Sequence, residues 1–194
     1  MGRSCCGRSS WLHPSASPDP MATPEAVLVT GTFGSGKTTV VAEMAELIER
    51  QGFHYAALDL DWLAWGWPGD DEGEMAEHRL MLENLGLVVA NYLRRGNDRF
   101  LMAHAIRTAE QMALLRAALP MPVRVVRLTV PFDEIRRRAA PDTTTGRAGD
   151  LQRAEAWLEA DDGAGLEDLT VANDRPINVV AKEILTWLGW LRAS

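Results

Sequence analysis

The chain has 194 residues, with 27 acidic against 20 basic side chains, a net charge of −7 and 46% hydrophobic residues. That length holds one α/β domain with a full core, or one domain with small insertions, but not two large domains. The acidic balance argues against a nucleic-acid surface, which needs a basic face, and no apolar run approaches a membrane span, so a cytoplasmic chain with neither partner is expected.

Residues 1–20, MGRSCCGRSSWLHPSASPDP, are Ser- and Pro-rich, lack periodicity and hold both cysteines, Cys5 and Cys6. They read as a disordered leader, dispensable to a chain whose natural start is Met21, and residues 21–194 as the folded domain. Gly2 and the cysteine pair match a lipidation signal poorly, because position six is Cys6 rather than Ser or Thr. With no cysteine downstream, disulfides and thiol catalysis are set aside for the folded part.

Ala26 to Val29 is a short apolar, β-branched run, as expected of a parallel strand buried on both faces. GTFGSGKTT follows, residues Gly31 to Thr39, and fits G-x-x-x-x-G-K-[ST] at every fixed position between that strand and an amphipathic helix. Glycines at 31, 34 and 36 let backbone N–H groups approach phosphate oxygens, and the positive helix end favours the same anion. Gly31, Gly34, Ser35, Gly36, Lys37, Thr38 and Thr39 are therefore the expected nucleotide-binding residues, with Lys37 on the terminal phosphates and Thr38 on Mg²⁺. Val40, Met44, Leu47 and Ile48 give the helix its apolar face and Gly52 stops it.

His54 to Asp59 reads as a second strand, ending in Asp59-Leu60-Asp61. If the strand continues through both carboxylates, they project from one face, although either could cap the next helix. Trp62, Trp65 and Trp67 form either an aromatic wall for a ring-bearing substrate or the small core of an insertion. Residues 68–74 make an acidic solvent loop that would repel a highly anionic acceptor lying nearby. A helix from about Glu74 to Arg95, a strand Arg99–Ala103, a helix Thr108–Leu119 ended by Pro120 and a strand Val123–Thr129 come next. The Arg-rich FDEIRRRAA helix leads into the loop PDTTTGRAGD, a helix near Leu151–Ala160, a fifth strand DLTVA and a final helix opened by Pro176. Strands alternating with helices imply a parallel sheet covered on both faces, with ligands at the carboxyl ends of the strands. Trp157, Trp187 and Trp190 are expected to pack helices against that sheet.

With GTFGSGKT, LDLDWL after the second strand, IRTAEQ after the third and EIRRRAAPDTTTGR after the fourth, residues 24–190 resemble the small P-loop kinases of the adenylate, shikimate and gluconate kinase superfamily. The resemblance implies a three-layer α/β fold around a five-stranded parallel sheet, a helical acceptor-binding insertion at about 60–96 and an Arg-rich lid at about 138–165. It implies a monomeric or homodimeric enzyme that uses ATP and Mg²⁺ to phosphorylate a small-molecule acceptor. Asp61 would orient or deprotonate the acceptor hydroxyl and Asp59 would help order the metal with Thr38. Acceptor contacts would come from Asp59, Asp61, Trp62, Arg107 and Gln111, the last two matching the R-T-x-x-Q with which adenylate kinases grip a nucleoside monophosphate. The catalytic set is then Lys37, Asp61, Arg138 and Arg147, chosen from Arg136, Arg137, Arg138, Arg147 and Arg153, since successive helical residues fan out by about 100° and cannot all face one ligand. One departure stands out: where adenylate kinases carry Asp-Gly, this chain has Ala103-His104, so the usual Walker B carboxylate is missing. His104 is then either an acceptor-side contact or a histidine on an ordinary loop. A hydroxyl-compound kinase, a nucleoside monophosphate kinase, and a nucleotide-binding switch or slow NTPase all remain open.

Overall fold

The structure is a computed structural model that describes residues 23–66, 73–139 and 149–191. The expected leader, Trp67, most of the acidic 68–74 segment, and Arg147 with most of its loop lie outside the described residues. Within them the strands are β1 (Glu25–Thr30), β2 (Tyr55–Asp59), β3 (Arg99–Ala103), β4 (Val123–Thr129) and β5 (Leu169–Ala172). The helices are α1 (Lys37–Glu49), α2 (Glu74–Leu93), α3 (Ala109–Ala118), α4 (Phe132–Ala139), α5 (Asp150–Ala160) and α6 (Ile177–Leu188), with a short 3₁₀ helix at Leu60–Leu63.

The strands pair in parallel in the order β2-β3-β1-β4-β5. β1 takes the centre because its residues Ala26 to Val29 are apolar on both faces, which only a strand covered on both sides can bury. Leu28 sits between Met102 and Val125, and Val29 between Ala103 and Val126. One face of the sheet, with Val27, Val29, Leu101 and Val126, packs on α1 and α6 through Val40, Met44, Ile184 and Leu185. The other, with Leu28, Phe100, Met102 and Val125, packs on α2 and α3 through Met81, Leu85, Met112 and Leu115.

Trp190 and Trp187 join the first core cluster as expected. Trp157 is also buried, but it lies beneath the Arg107 guanidinium, 5.6 Å away, at the edge of a cavity. β2 ends at Asp59, so Asp59 and Asp61 do not lie side by side on one extended face. Leu60 is fully buried, and the chain turns into the 3₁₀ helix at that point, with Asp59 capping it through the Asp61 N–H at 3.2 Å.

This order divides the carboxyl edge of the sheet. The turn after β1 lies centrally, residues following β2 and β3 lie on one flank, and residues following β4 and β5 lie on the other. Phe100 is fully buried on a strand that pairs on both sides, and Phe100→Ala should cost about 3–5 kcal/mol through lost burial and a residual cavity. A lowering of the thermal midpoint on the order of 10 °C in a calorimetric scan is the expected reading.

Candidate functional site

The turn between β1 and α1 is held in shape from several directions. Gly36 has φ 90°, and a Cβ there would come 2.6 Å from the Asn173 side-chain nitrogen. Gly34 has φ 73° and would meet the Ile135 side chain at 2.9 Å. Neither position admits a side chain, in conformation or in space. Asn173 is buried and donates to the Ser35 carbonyl at 2.7 Å, tying the turn to the end of β5. Lys37 Nζ donates to the carbonyls of Gly31 and Thr32, each at 3.0 Å. Burial pulls its pKa below the ordinary lysine value, while Asp61 and Asp59 oppose that shift. The hydroxyls of Thr32 and Ser35 are buried with no partner among the described residues. A glycine-lined turn at a helix N-terminus, with an ammonium and unpartnered hydroxyls in it, fits a phosphate chain.

Thr38 Oγ1 donates to Asp59 Oδ2 at 2.7 Å. These are two hard oxygen donors at the mouth of the turn, of the type Mg²⁺ takes when it keeps most of its waters and the phosphates as ligands. Thr38, Thr39, Asp59 and Asp61 all line one cleft of about 1200 Å³ with Gly34, Gly36 and Lys37.

A second cavity of about 460 Å³ opens on the β2–β3 flank. Asp61 lines both, so it stands where they meet. Its Oδ1 lies 2.6 Å from His104 Nδ1, and the hydrogen bond from His104 holds its carboxyl below the usual carboxylate range, with help from Lys37. His104, left open between an acceptor-side contact and an ordinary loop histidine, follows β3 directly and lines this cavity bonded to Asp61. His78, on the buried face of α2, stacks over His104 with centroids 6.0 Å apart. His78 Nε2 donates to the Gln111 carbonyl at 3.1 Å, and burial lowers its pKa. Its place on the apolar stripe of α2 was the available sequence signal for His78.

The R-T-x-x-Q residues are present but occupied. Gln111 is buried; its Oε1 accepts from the N–H groups of Arg107 and Thr108, and Thr108 Oγ1 accepts from Gln111 N, a complete capping box for α3. Its amide nitrogen donates to Glu74 at 3.0 Å. Gln111, expected among the acceptor contacts, thus has both side-chain ends bonded within the protein. Arg107 pairs with Asp162 at 2.7 Å and approaches Glu74 at 4.0 Å. Trp62 and Trp65 are exposed, stacked on each other, and line the larger cleft, so they do not form the core of an insertion.

On the opposite flank Arg138 lies beside Gly36, its Nε donating to Glu134 at 2.8 Å and its Nη2 to the Asn173 carbonyl at 2.6 Å. It is braced against the turn rather than swung over it. Arg136 and Arg137 pair with Asp133 and Glu134 on the surface of α4. Arg153, one of the arginines passed over in the sequence, lines both cavities, stacks over Phe33 at 5.1 Å and pairs with Asp150. Lys37 lies 5.7 Å from the centre of the same ring, so Phe33 contacts two cations. Asn173, Phe33 and Arg175 also line the larger cleft without having been singled out.

Glu134 bonds Arg137 and Arg138 together, and their guanidiniums hold its carboxyl down at about 2, against an ordinary value of 4.5. A depressed carboxylate stabilises the fold above its unfolded pKa, and that contribution is lost as pH falls from about 4.5 through about 2. Glu134→Gln should therefore lower the urea midpoint at pH 7 and leave it almost unchanged near pH 2; an equal loss at both pH values would show that the charge is not what matters.

No family model matches the chain, and no curated protein matches it in sequence. Solved structures do. The adenosine 5′-phosphosulfate (APS) kinase of Mycobacterium tuberculosis, in complex with AMPPNP and APS, aligns with TM-score 0.63 and 23% identity over 86% of this chain and 98% of that one. A gluconokinase from Sinorhizobium meliloti 1021 aligns with TM-score 0.62 and 19% identity over 86% and 92%. Shikimate kinase from Acinetobacter baumannii, with shikimate, aligns with TM-score 0.55 and 21% identity over 86% and 93%. This chain therefore shares the fold of these small P-loop kinases.

Proposed function

We propose that the chain is an ATP- and Mg²⁺-dependent phosphotransferase that moves the γ-phosphoryl group to a hydroxyl of a small molecule. The observation that carries this reading is the position of Asp61, which lines the phosphate cleft and the adjoining cavity at once and is held there by His104. A switch or NTPase needs a site for water; a second, walled cavity meeting the first at a carboxylate suits a second substrate. The neighbouring APS kinase was captured with AMPPNP, which favours an adenine nucleotide here.

In this reading Lys37 and the turn amides hold the phosphate chain, and Arg138, Asn173 and Arg175 flank the nucleotide on the β4–β5 side. Thr38 and Asp59 would hold Mg²⁺, which when bound neutralises phosphate charge. Asp61 accepts the hydrogen bond of the acceptor hydroxyl and takes its proton as the oxygen bonds to the γ-phosphorus and the bond from that phosphorus to the β,γ-bridging oxygen breaks, releasing ADP. His104 fixes the carboxylate so that its second oxygen faces the acceptor. Arg153, beside Phe33, stabilises charge on the group in transfer, the role expected of Arg138 or Arg147 from sequence.

The test is transfer to product. Incubation with ATP, Mg²⁺ and pooled hydroxyl compounds should give a phosphorylated organic product by mass spectrometry, and inorganic phosphate alone would assign an NTPase instead. Lys37→Ala should lower kcat by at least about 10²-fold. Asp61→Asn, which keeps shape but removes charge, should lower kcat by about 10²-fold with AMPPNP affinity nearly unchanged. A normal kcat in folded Asp61→Asn would reduce that carboxylate to scaffolding.

A further inference from the structure

The two substrates of such a reaction make different demands on charge, and the acceptor flank has a distinctive lining. Trp62 and Trp65 are 67% and 74% exposed, yet they stack on each other with centroids 4.6 Å apart and planes 27° apart. Two large rings left to water and fixed face to face form an ordered apolar surface rather than a piece of core. They stand on the turn that carries Asp61 and line the same cleft as Lys37 and Thr38. A flat ligand resting on them therefore lies next to the carboxylate that would receive its hydroxyl.

The charged groups of the adjoining cavity are already engaged. Arg107 is paired with Asp162 and Arg153 with Asp150. Of the two imidazoles, His104 is bonded to Asp61 and His78 to a carbonyl. Glu74 and Glu77 share the lining with Asp61, and Glu77, which lines both cavities, has no side-chain partner among the described residues. An anion entering here would share Arg107 or Arg153 with the carboxylate each already pairs, while facing three carboxylates. Hydroxyl groups donate to the same carboxylates at no such cost.

We infer that the acceptor is a ring-bearing hydroxyl compound without negative charge, held by its flat face on Trp62 and Trp65; this rests on the phosphotransferase reading and narrows it. The test is calorimetric binding to the full chain saturated with AMPPNP and Mg²⁺, using two matched pairs: uridine against uridine monophosphate, and phenyl glucoside against phenyl glucuronide. The uncharged member of each pair should bind at least about 10-fold tighter. Trp62→Ala should weaken that binding by about 10-fold with an unchanged thermal midpoint, since the ring is exposed and supports no core. Tighter binding of the anionic member, equal affinities, failure of both pairs to saturate, or indifference to Trp62→Ala would each overturn the inference. The two readings fail separately. Binding of the uncharged member with no transfer to any hydroxyl would remove the phosphotransferase and leave only the ligand class standing, whereas transfer to an anionic compound would keep the phosphotransferase and overturn the inference.

Discussion

A buried ammonium bonded to the carbonyls of its own turn is the constraint around which the rest is arranged. Lys37 reaches back to Gly31 and Thr32 and cannot do so unless the chain between them folds into a tight loop. The loop in turn demands glycine at Gly34 and Gly36, where Ile135 and Asn173 press against the backbone. Those two neighbours come from α4 and from the end of β5, so the loop's shape is imposed by distant parts of the sheet. The low proton affinity of a desolvated lysine is moderated by Asp61 and Asp59, which ties the carboxylates at and just beyond the end of β2 to the same centre.

From that centre the two flanks take on different characters. On the β4–β5 side, side chains are braced: Glu134 holds Arg138, Arg138 holds the Asn173 carbonyl, and Asn173 holds Ser35. On the β2–β3 side the groups are paired but more open to solvent, with Asp61 half-exposed beside a largely shielded His104.

What could be read from the residues and what could not follows from range. All five strands and the turn after β1 were legible because their signals are local: an apolar run, glycines at fixed spacing, a helix that follows. The Asp61–His104, Arg107–Asp162 and Ser35–Asn173 contacts join residues 43, 55 and 138 positions apart, and only the strand order brings them together. Gln111 shows a subtler difficulty. Thr108-x-x-Gln111 spells a nucleotide-gripping segment and an N-terminal capping box with the same letters, and the backbone N–H groups at the start of α3 claimed the side chain. At Asp59-Leu60-Asp61 the period-two expectation gave way because Leu60 had a buried place to fill and the chain bent to fill it.

The division of the carboxyl edge also has a meaning for how such a chain can change. Every acceptor-side group drawn from β2, α2 and β3 lies in one unbroken stretch, residues 59–107, and the turn with Lys37 precedes it entirely. Arg138, Asn173 and Arg175 follow it entirely. On the proposed reading, a lineage or an engineer could exchange that stretch beyond Asp59, keep β3 in register with β1, and reassign the recipient of the phosphate while the half that holds the donor is inherited intact.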